Sequence, residues 1–136
     1  MRTKAELRAT RDRVGLTQAK LAEAVGVQVR SVKRWESPDA PQQAPDDVWD
    51  YLGQLLQVQD AIVDQTLQTV RESPAETVRM PYWASQEDYD QHHGGPEGGF
   101  WRVANATARA VAVALETTGY GVEWVDSNPV PPEAWE

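Results

Sequence analysis

The chain contains no cysteine, which excludes a disulfide framework and any thiolate metal site and fits a reducing cytoplasm. No run approaches the roughly 20 apolar residues that cross a bilayer. Met1-Arg2-Thr3-Lys4-Ala5-Glu6 lacks the apolar stretch of a secretory signal. A cytoplasmic protein with no membrane partner is therefore expected. No internal repeat is evident. The glycines between Gly94 and Gly99 form no phosphate loop, because neither a preceding strand nor a following Gly-Lys-Ser/Thr accompanies them. With 136 residues there is room for one compact unit or two small ones, which is short for a multidomain enzyme.

Positive charge is also scarce. Thirteen Lys and Arg face 21 Asp and Glu, a formal net charge of -8, which taken alone argues against a nucleic-acid partner. The distribution of that charge points the other way. Residues 1–36 hold nine bases (Arg2, Lys4, Arg8, Arg11, Arg13, Lys20, Arg30, Lys33, Arg34) against four acids, a net of +5 that leaves -13 for the remainder. A basic head on an acidic body presents one face to phosphate and repels it elsewhere.

What is present in that head is a pattern. Residues 16–36 read as two short amphipathic helices joined by a tight glycine turn, the grammar of a helix-turn-helix. Leu21, Ala22, Val25, Val27, Val32 and Trp35 fall at spacings that close one small core and leave Gln18, Lys20, Arg30, Lys33 and Arg34 facing outward. Thr17 caps the first helix of the pair, since its hydroxyl accepts from first-turn amides. Gly26 ends it, because glycine takes positive φ without a steric penalty. The second helix is expected to begin near Gln28, a weak cap. An earlier helix is predicted from Lys4 to Val14, with Thr3 and Glu6 in capping-box spacing, Gly15 at the stop, and Leu7 and Val14 toward the core. Arg11 and Glu36 fall on the inner sides of their helices, where a bridge between them locks one to the other; the alternative is a surface pair worth little.

Residues 37–45 carry three prolines and form a loop. Pro45-Asp46-Asp47 opens a long helix that reaches Arg71. Its stripe of Val48, Tyr51, Leu52, Leu55, Leu56, Val58, Ile62, Val63, Leu67 and Val70 is too wide for one packing partner, and Gly53 marks a bend or break. Thr77 to Trp83 reads as a short strand interrupted by Pro81, which suits an edge or a strand end. Ser85 caps a brief helix to Gln91, and Trp101 to Leu115 outlines an alanine-rich helix ending at Thr118-Gly119. Tyr120 to Val125 alternates as a strand. The organisation expected is residues 1–72 as the helix-turn-helix domain with its long linking helix, 73–126 as a small α+β dimerisation module, and 127–136 as a proline-rich tail.

Leu7 to Glu36 resembles the Cro/C1-type (XRE-like) helix-turn-helix family, in which Arg11 precedes the glycine, Leu16-Thr17-Gln18 opens the second helix, Leu21-Ala22 lies within it and Gly26-Val27 makes the turn. The whole chain is similar to a smaller group that includes anti-CRISPR-associated repressors, on Trp35-Glu36 closing the recognition helix and on an ordered set of C-terminal features. These are Arg79-Met80 in a short strand, an acidic-aromatic helix, and Phe100-Trp101-Arg102 at the start of an alanine-rich helix. The resemblance implies a mainly α fold, with an N-terminal helix-turn-helix bundle, a long linking helix and a small α+β C-terminal dimerisation module. It implies that Gln28, Val29, Arg30, Ser31 and Arg34 face bases in the major groove and that Gln18, Lys20 and Lys33 lie nearer phosphate. Arg11, Leu21, Ala22, Gly26, Val32, Trp35 and Glu36 then form the framework. A departure from the family pattern is Ser37-Pro38 and a longer proline-rich loop where a glycine often follows the recognition helix.

Arg30 is the leading base reader, because a guanidinium donates two parallel hydrogen bonds to guanine O6 and N7, worth about 1–3 kcal/mol of discrimination. Arg34 is the second; Val29 suits a thymine methyl, and Gln28 suits adenine or a phosphate. The expected function is a homodimeric DNA-binding repressor, since two half-sites about one helical turn apart are needed to specify a genomic site. The alternatives are an antitoxin-like protein that represses its own operon and binds a protein partner, and an RNA-binding regulator using the same basic face. No cofactor, metal or enzymatic activity is expected. His92-His93 near Glu87, Asp88 and Asp90 read as exposed histidines rather than a metal site. Trp83, Trp101, Trp124 and Trp135 read as core or interface rather than a ligand cage.

Overall fold

A computed structural model describes residues 2–73, 75–92 and 99–126. The chain is mainly helical, with elements in the order α1 (Lys4–Val14), α2 (Gln18–Val25), α3 (Val29–Glu36), α4 (Asp46–Arg71), β1 (Thr77–Tyr82), α5 (Gln86–His92), α6 (Trp101–Thr117) and β2 (Gly121–Asp126). It divides into two compact units, Met1–Ala61 and Ile62–Glu136, and the division falls inside α4.

In the first unit the caps follow from local chemistry. The Thr3 hydroxyl accepts from the Glu6 amide and the Thr17 hydroxyl from the Lys20 amide, each at 3.0 Å. Gly15 and Gly26 end α1 and α2 in the left-handed region, at φ 90° and 76°, where a Cβ would be strained. Leu7, Val14, Leu16, Leu21, Ala22, Val32, Trp35, Val48 and Leu52 are buried. Val27, expected in that core, is 36% exposed. Its amide closes the α2 end onto the Ala22 carbonyl at 2.9 Å, so the residue follows the turn rather than the helix period and its side chain leaves the core.

The 26-residue α4 runs through Gly53 without interruption. In the first unit its buried face carries Val48, Leu52 and also Gln59, only 3% exposed, whose amide donates to the Arg13 carbonyl at 3.4 Å. Val58 is 57% exposed. The apolar stripe is thus narrower than the composition suggests, because a polar residue occupies a buried turn while an apolar neighbour, about 100° round the helix, faces out.

In the second unit β1 and β2 pair in parallel, with Thr77 opposite Gly121 and Tyr82 opposite Asp126. Parallel neighbours need a crossover, and α5 and α6 lie within it. Val70, Met80, Val111, Ala112 and Leu115 form the core, with Val63, Leu67, Val78, Ala108, Tyr120 and Val122 packed around it. The opposite sheet face carries Arg79 and Glu123, 3.9 Å apart. The Ser85 hydroxyl accepts from the Asp88 amide at 3.1 Å, opening α5. The Gln86 carboxamide accepts from the Trp101 amide at 3.1 Å and donates to the Gly99 carbonyl at 2.9 Å. It does for α6 what its own N-cap, Phe100, cannot do. Gly94 to Gly98, His93 and the tail from Ser127, including Trp135, lie outside the described residues.

Candidate nucleic-acid interface

Helix α3 is divided lengthwise by burial. Val32, Trp35 and Glu36 are buried, whereas Gln28, Val29, Arg30, Lys33 and Arg34 are exposed and Ser31 is half-buried. Over the eight residues Val29-Arg30-Ser31-Val32-Lys33-Arg34-Trp35-Glu36 the helix period puts Val32, Trp35 and Glu36 on the buried face and Arg30, Lys33 and Arg34 on the other, while Val29, at the first position, stays exposed. Gln28 is the N-cap, in extended conformation, and makes no side-chain capping bond. Its side chain is left outside the helix end. The Ser31 amide reaches the Gln28 carbonyl at 2.9 Å instead.

The buried end of α3 is held by charge. Arg11 Nε and Nη2 donate to Glu36 Oε2 and Oε1 at 2.6 and 2.9 Å, in the two-pronged geometry that matches a guanidinium to a carboxylate. The Arg11 side chain is 13% exposed and that of Glu36 2%, so the pair is buried rather than a surface contact. Two further donors complete it. Arg11 Nη1 donates to the Leu16 carbonyl at 2.8 Å, and the Gln18 amide donates to Glu36 Oε1 at 3.1 Å. The hydrogen bond from Arg11 to Glu36, against the opposing effect of burial and with the charges of Glu36 and Asp12 assisting, holds the guanidinium pKa above its usual range. The pairing therefore favours the charged form of Arg11.

Two more bases of α1 reach the same helix end. Lys4 Nζ donates to the Arg34 and Trp35 carbonyls at 3.0 and 3.1 Å and to the Gln42 carbonyl. Arg8 donates to the Glu36 carbonyl. The Arg34 carbonyl accepts in addition only from the Ser37 amide, at 3.3 Å. The Arg34, Trp35 and Glu36 carbonyls lie in the last turn of α3 and carry the negative end of its dipole, so cations are the groups that satisfy them best. Lys4, Arg8 and Arg11 recur at intervals of four and three and share one face of α1. Of the three, Arg11 was expected on the inner side of its helix; the same spacing was the available signal for Lys4 and Arg8, which a count of charge alone leaves among the surface bases.

Other bases of the head are paired at the surface. Arg13 meets Asp60 at 3.4 Å, Arg2 meets Asp46 at 3.5 Å and lies over the Trp49 ring, and Lys20, half-buried, meets Glu23 at 3.5 Å. Gln18, expected near phosphate, spends its amide on Glu36, because the buried carboxylate has a free lone pair within its reach. Among the described residues, the side chains of Arg30, Lys33 and Arg34 make no ion pair or hydrogen bond, and all three are exposed on α3. Cationic, unpaired and on one short helix, they are free to meet an anion.

Elsewhere, among the described residues no three His, Cys, Asp or Glu side chains gather as a metal-holding group. His92 Nδ1 lies 2.9 Å from an Asp88 carboxylate oxygen. No helix among the described residues is long and apolar enough to cross a membrane.

The first unit is a helix-turn-helix bundle in which α2 and α3 make the turn motif and α1 and the start of α4 back it. Residues 5–65 match the helix-turn-helix domain family. No curated protein matches the chain. The match covers α2 with its Thr17 and Gly26 caps, the Arg11–Glu36 bridge and the exposed face of α3 together, and it supports a DNA-binding regulator.

Proposed function

We propose that this protein is a sequence-specific transcriptional repressor that acts as a homodimer on an inverted-repeat operator, with α3 entering the major groove. The observation that carries this reading is the sorting of charge around α3. Lys4, Arg8 and Arg11 are consumed in holding the helix, while Arg30, Lys33 and Arg34 are left outward on a face that has no other use in the fold. Arg30, in the first turn, is the side chain assigned to a guanine edge, with Arg34 one turn on; Lys33 is assigned to phosphate. Val29, 38% exposed, is placed beside Arg30 to meet a thymine methyl. Two copies are required because one such helix reads too few base pairs. The reading assigns the chain no chemical step.

Selection of bound duplexes from a random DNA library, at near-physiological salt and with tRNA competitor, tests it. Enrichment of an inverted repeat with half-sites about one helical turn apart is the expected result. Folded protein that enriches no sequence, or that is stripped from DNA by the tRNA, overturns it.

A further inference from the structure

The two-stranded sheet of the second unit has two outer edges, and the chain treats them differently. The Gly121 amide donates to the Glu76 carbonyl at 2.9 Å, and Thr77 stands opposite Gly121. Backbone groups alternate sides along a strand. It follows that Gly121, Glu123 and Val125 turn their amides and carbonyls toward β1, while Val122, Trp124 and Asp126 turn theirs away. On β1 the outward residues are Thr77, Arg79 and Pro81.

The outer edge of β1 is closed by the chain's own devices. Pro81 has no amide to offer on that side, which is where a strand tolerates proline. One residue beyond the strand, Trp83 is clamped by a side chain that copies a neighbouring strand. Its amide donates to Asn105 Oδ1 at 2.8 Å, and Asn105 Nδ2 donates to its carbonyl at 2.9 Å. Asn105 is 3% exposed. The outer edge of β2 has neither device. Among the described residues the amides and carbonyls of Val122, Trp124 and Asp126 find no backbone partner outside the ladder, and Trp124 is 46% exposed beside Tyr82, itself 40% exposed, with the two rings edge to face at 5.3 Å.

We infer that β2 pairs through this edge with β2 of a second copy, antiparallel about a two-fold axis at Trp124, so that two sheets join into one of four strands. The inference rests on the reading of the protein as a homodimer and names its contact. A second copy is the occupant because the edge is self-complementary. About Trp124 the outward-facing groups of Val122 meet those of Asp126 in the partner and Trp124 meets its own copy, each with both an amide and a carbonyl to exchange. No like charges are set opposite. Asp126 faces a valine, Glu123 faces Val125, and the Glu123 charge is already offset by Arg79 across the ladder. Pairing also covers the half-exposed Trp124 ring and completes a sheet that two strands alone leave marginal.

The test uses the full chain, whose lack of cysteine makes one introduced thiol unique. Trp124→Cys, treated with a short bismaleimide at low protein concentration, is expected to give a covalent dimer in high yield, and Thr77→Cys on the closed edge is expected to give little. Trp124→Pro, which removes only an outward amide from the ladder, is expected to sediment as a monomer with unchanged helical circular dichroism. Wild-type protein that sediments as a monomer overturns both this contact and the dimer reading. A wild-type dimer that cross-links no better at position 124 than at position 77 overturns the contact alone and leaves the dimer standing. If Trp124→Pro does not fold, the cross-linking comparison still decides.

Discussion

Each unit buries a carboxamide, Gln59 in the first and Asn105 in the second, but only the first also buries a pair of charges. The first buries a full ion pair, Arg11 and Glu36, and surrounds it with donors until every oxygen of the carboxylate is occupied. The second buries a neutral carboxamide, Asn105, against one peptide group. A buried charge is costly to desolvate and is tolerated only when paired; a carboxamide carries a far smaller penalty. The ion pair makes sense where a helix must be held at one angle under a load of repelling cations, as α3 is by Arg30, Lys33 and Arg34. The carboxamide makes sense where an edge merely has to be closed. The units therefore differ in what the loss of one atom group costs, and that difference is open to measurement.

The largest effect belongs to Glu36. Glu36→Ala strands the Arg11 guanidinium, 13% exposed, without its carboxylate, and breaking one side of a buried pair costs about 3–5 kcal/mol. The urea midpoint is expected to fall by that free energy divided by the slope, with the slope unchanged. Removing both charges separates their mutual support from their cost. Arg11→Met with Glu36→Leu is expected to regain most of the lost stability, because apolar groups of similar volume need no partner. A double variant as unstable as the single one breaks the comparison, since the helix would then depend on something other than the pair.

A smaller loss is expected in the second unit. Asn105→Ala leaves the amide and carbonyl of Trp83 without partners in a buried place, at about 1–3 kcal/mol for each group left unpaired, lessened if water enters. Native-state hydrogen exchange at the Trp83 amide is the sharper readout. Exchange that speeds up there while the α2 and α3 amides stay protected shows that the two units fail separately. Uniform acceleration across both would show one cooperative block.

Much of this architecture could be read from residues alone, and the reason is locality. Thr3, Thr17, Gly15 and Gly26 act within a few residues of themselves, so the ends of α1 and α2 were legible, and the long reach of α4 followed from Pro45, its acids and its apolar period, although Gly53 does not make the bend or break expected of it. The Arg11–Glu36 bridge was legible because both residues fall on inward faces. What escaped depended on pairs distant in sequence. Gln18 turns to Glu36, Lys4 to the end of α3 and Gln59 to the Arg13 carbonyl, and no periodicity announces a polar side chain that leaves its expected face for a buried partner. Parallel pairing of β1 with β2 and the clamp of Asn105 on Trp83 are likewise contacts between elements, invisible to propensity. The exposure of Val58 and Ile62 is the converse, an apolar pattern broader than the surface that covers it.

Within the first unit the comparison sharpens to the level of single cations. Arg30→Ala is expected to weaken binding to the selected operator by about 1–3 kcal/mol, roughly fivefold to 150-fold, and to relax preference at one base pair of each half-site. Because its side chain makes no described contact inside the fold, the urea midpoint is expected not to move. Arg8→Ala inverts that pattern, with lower stability from the uncapped Glu36 carbonyl and a binding loss that disappears once only folded protein is counted. A base-specific loss in Arg8→Ala would mean that the sorting of cations into holders and readers is wrong.

The smallest effect is the most diagnostic of role. Lys33 is exposed and unpaired beside the assigned base readers, and a phosphate contact is indifferent to sequence. Lys33→Ala is expected to weaken specific and random duplexes alike, and to lower the slope of log affinity against log salt by about one for each lost contact. An unaltered slope with lost discrimination would move Lys33 from the backbone to a base edge. An unaltered slope and affinity would place Lys33 off the DNA altogether and narrow the reading face to Arg30 and Arg34, leaving one cation per turn of α3 to do the work.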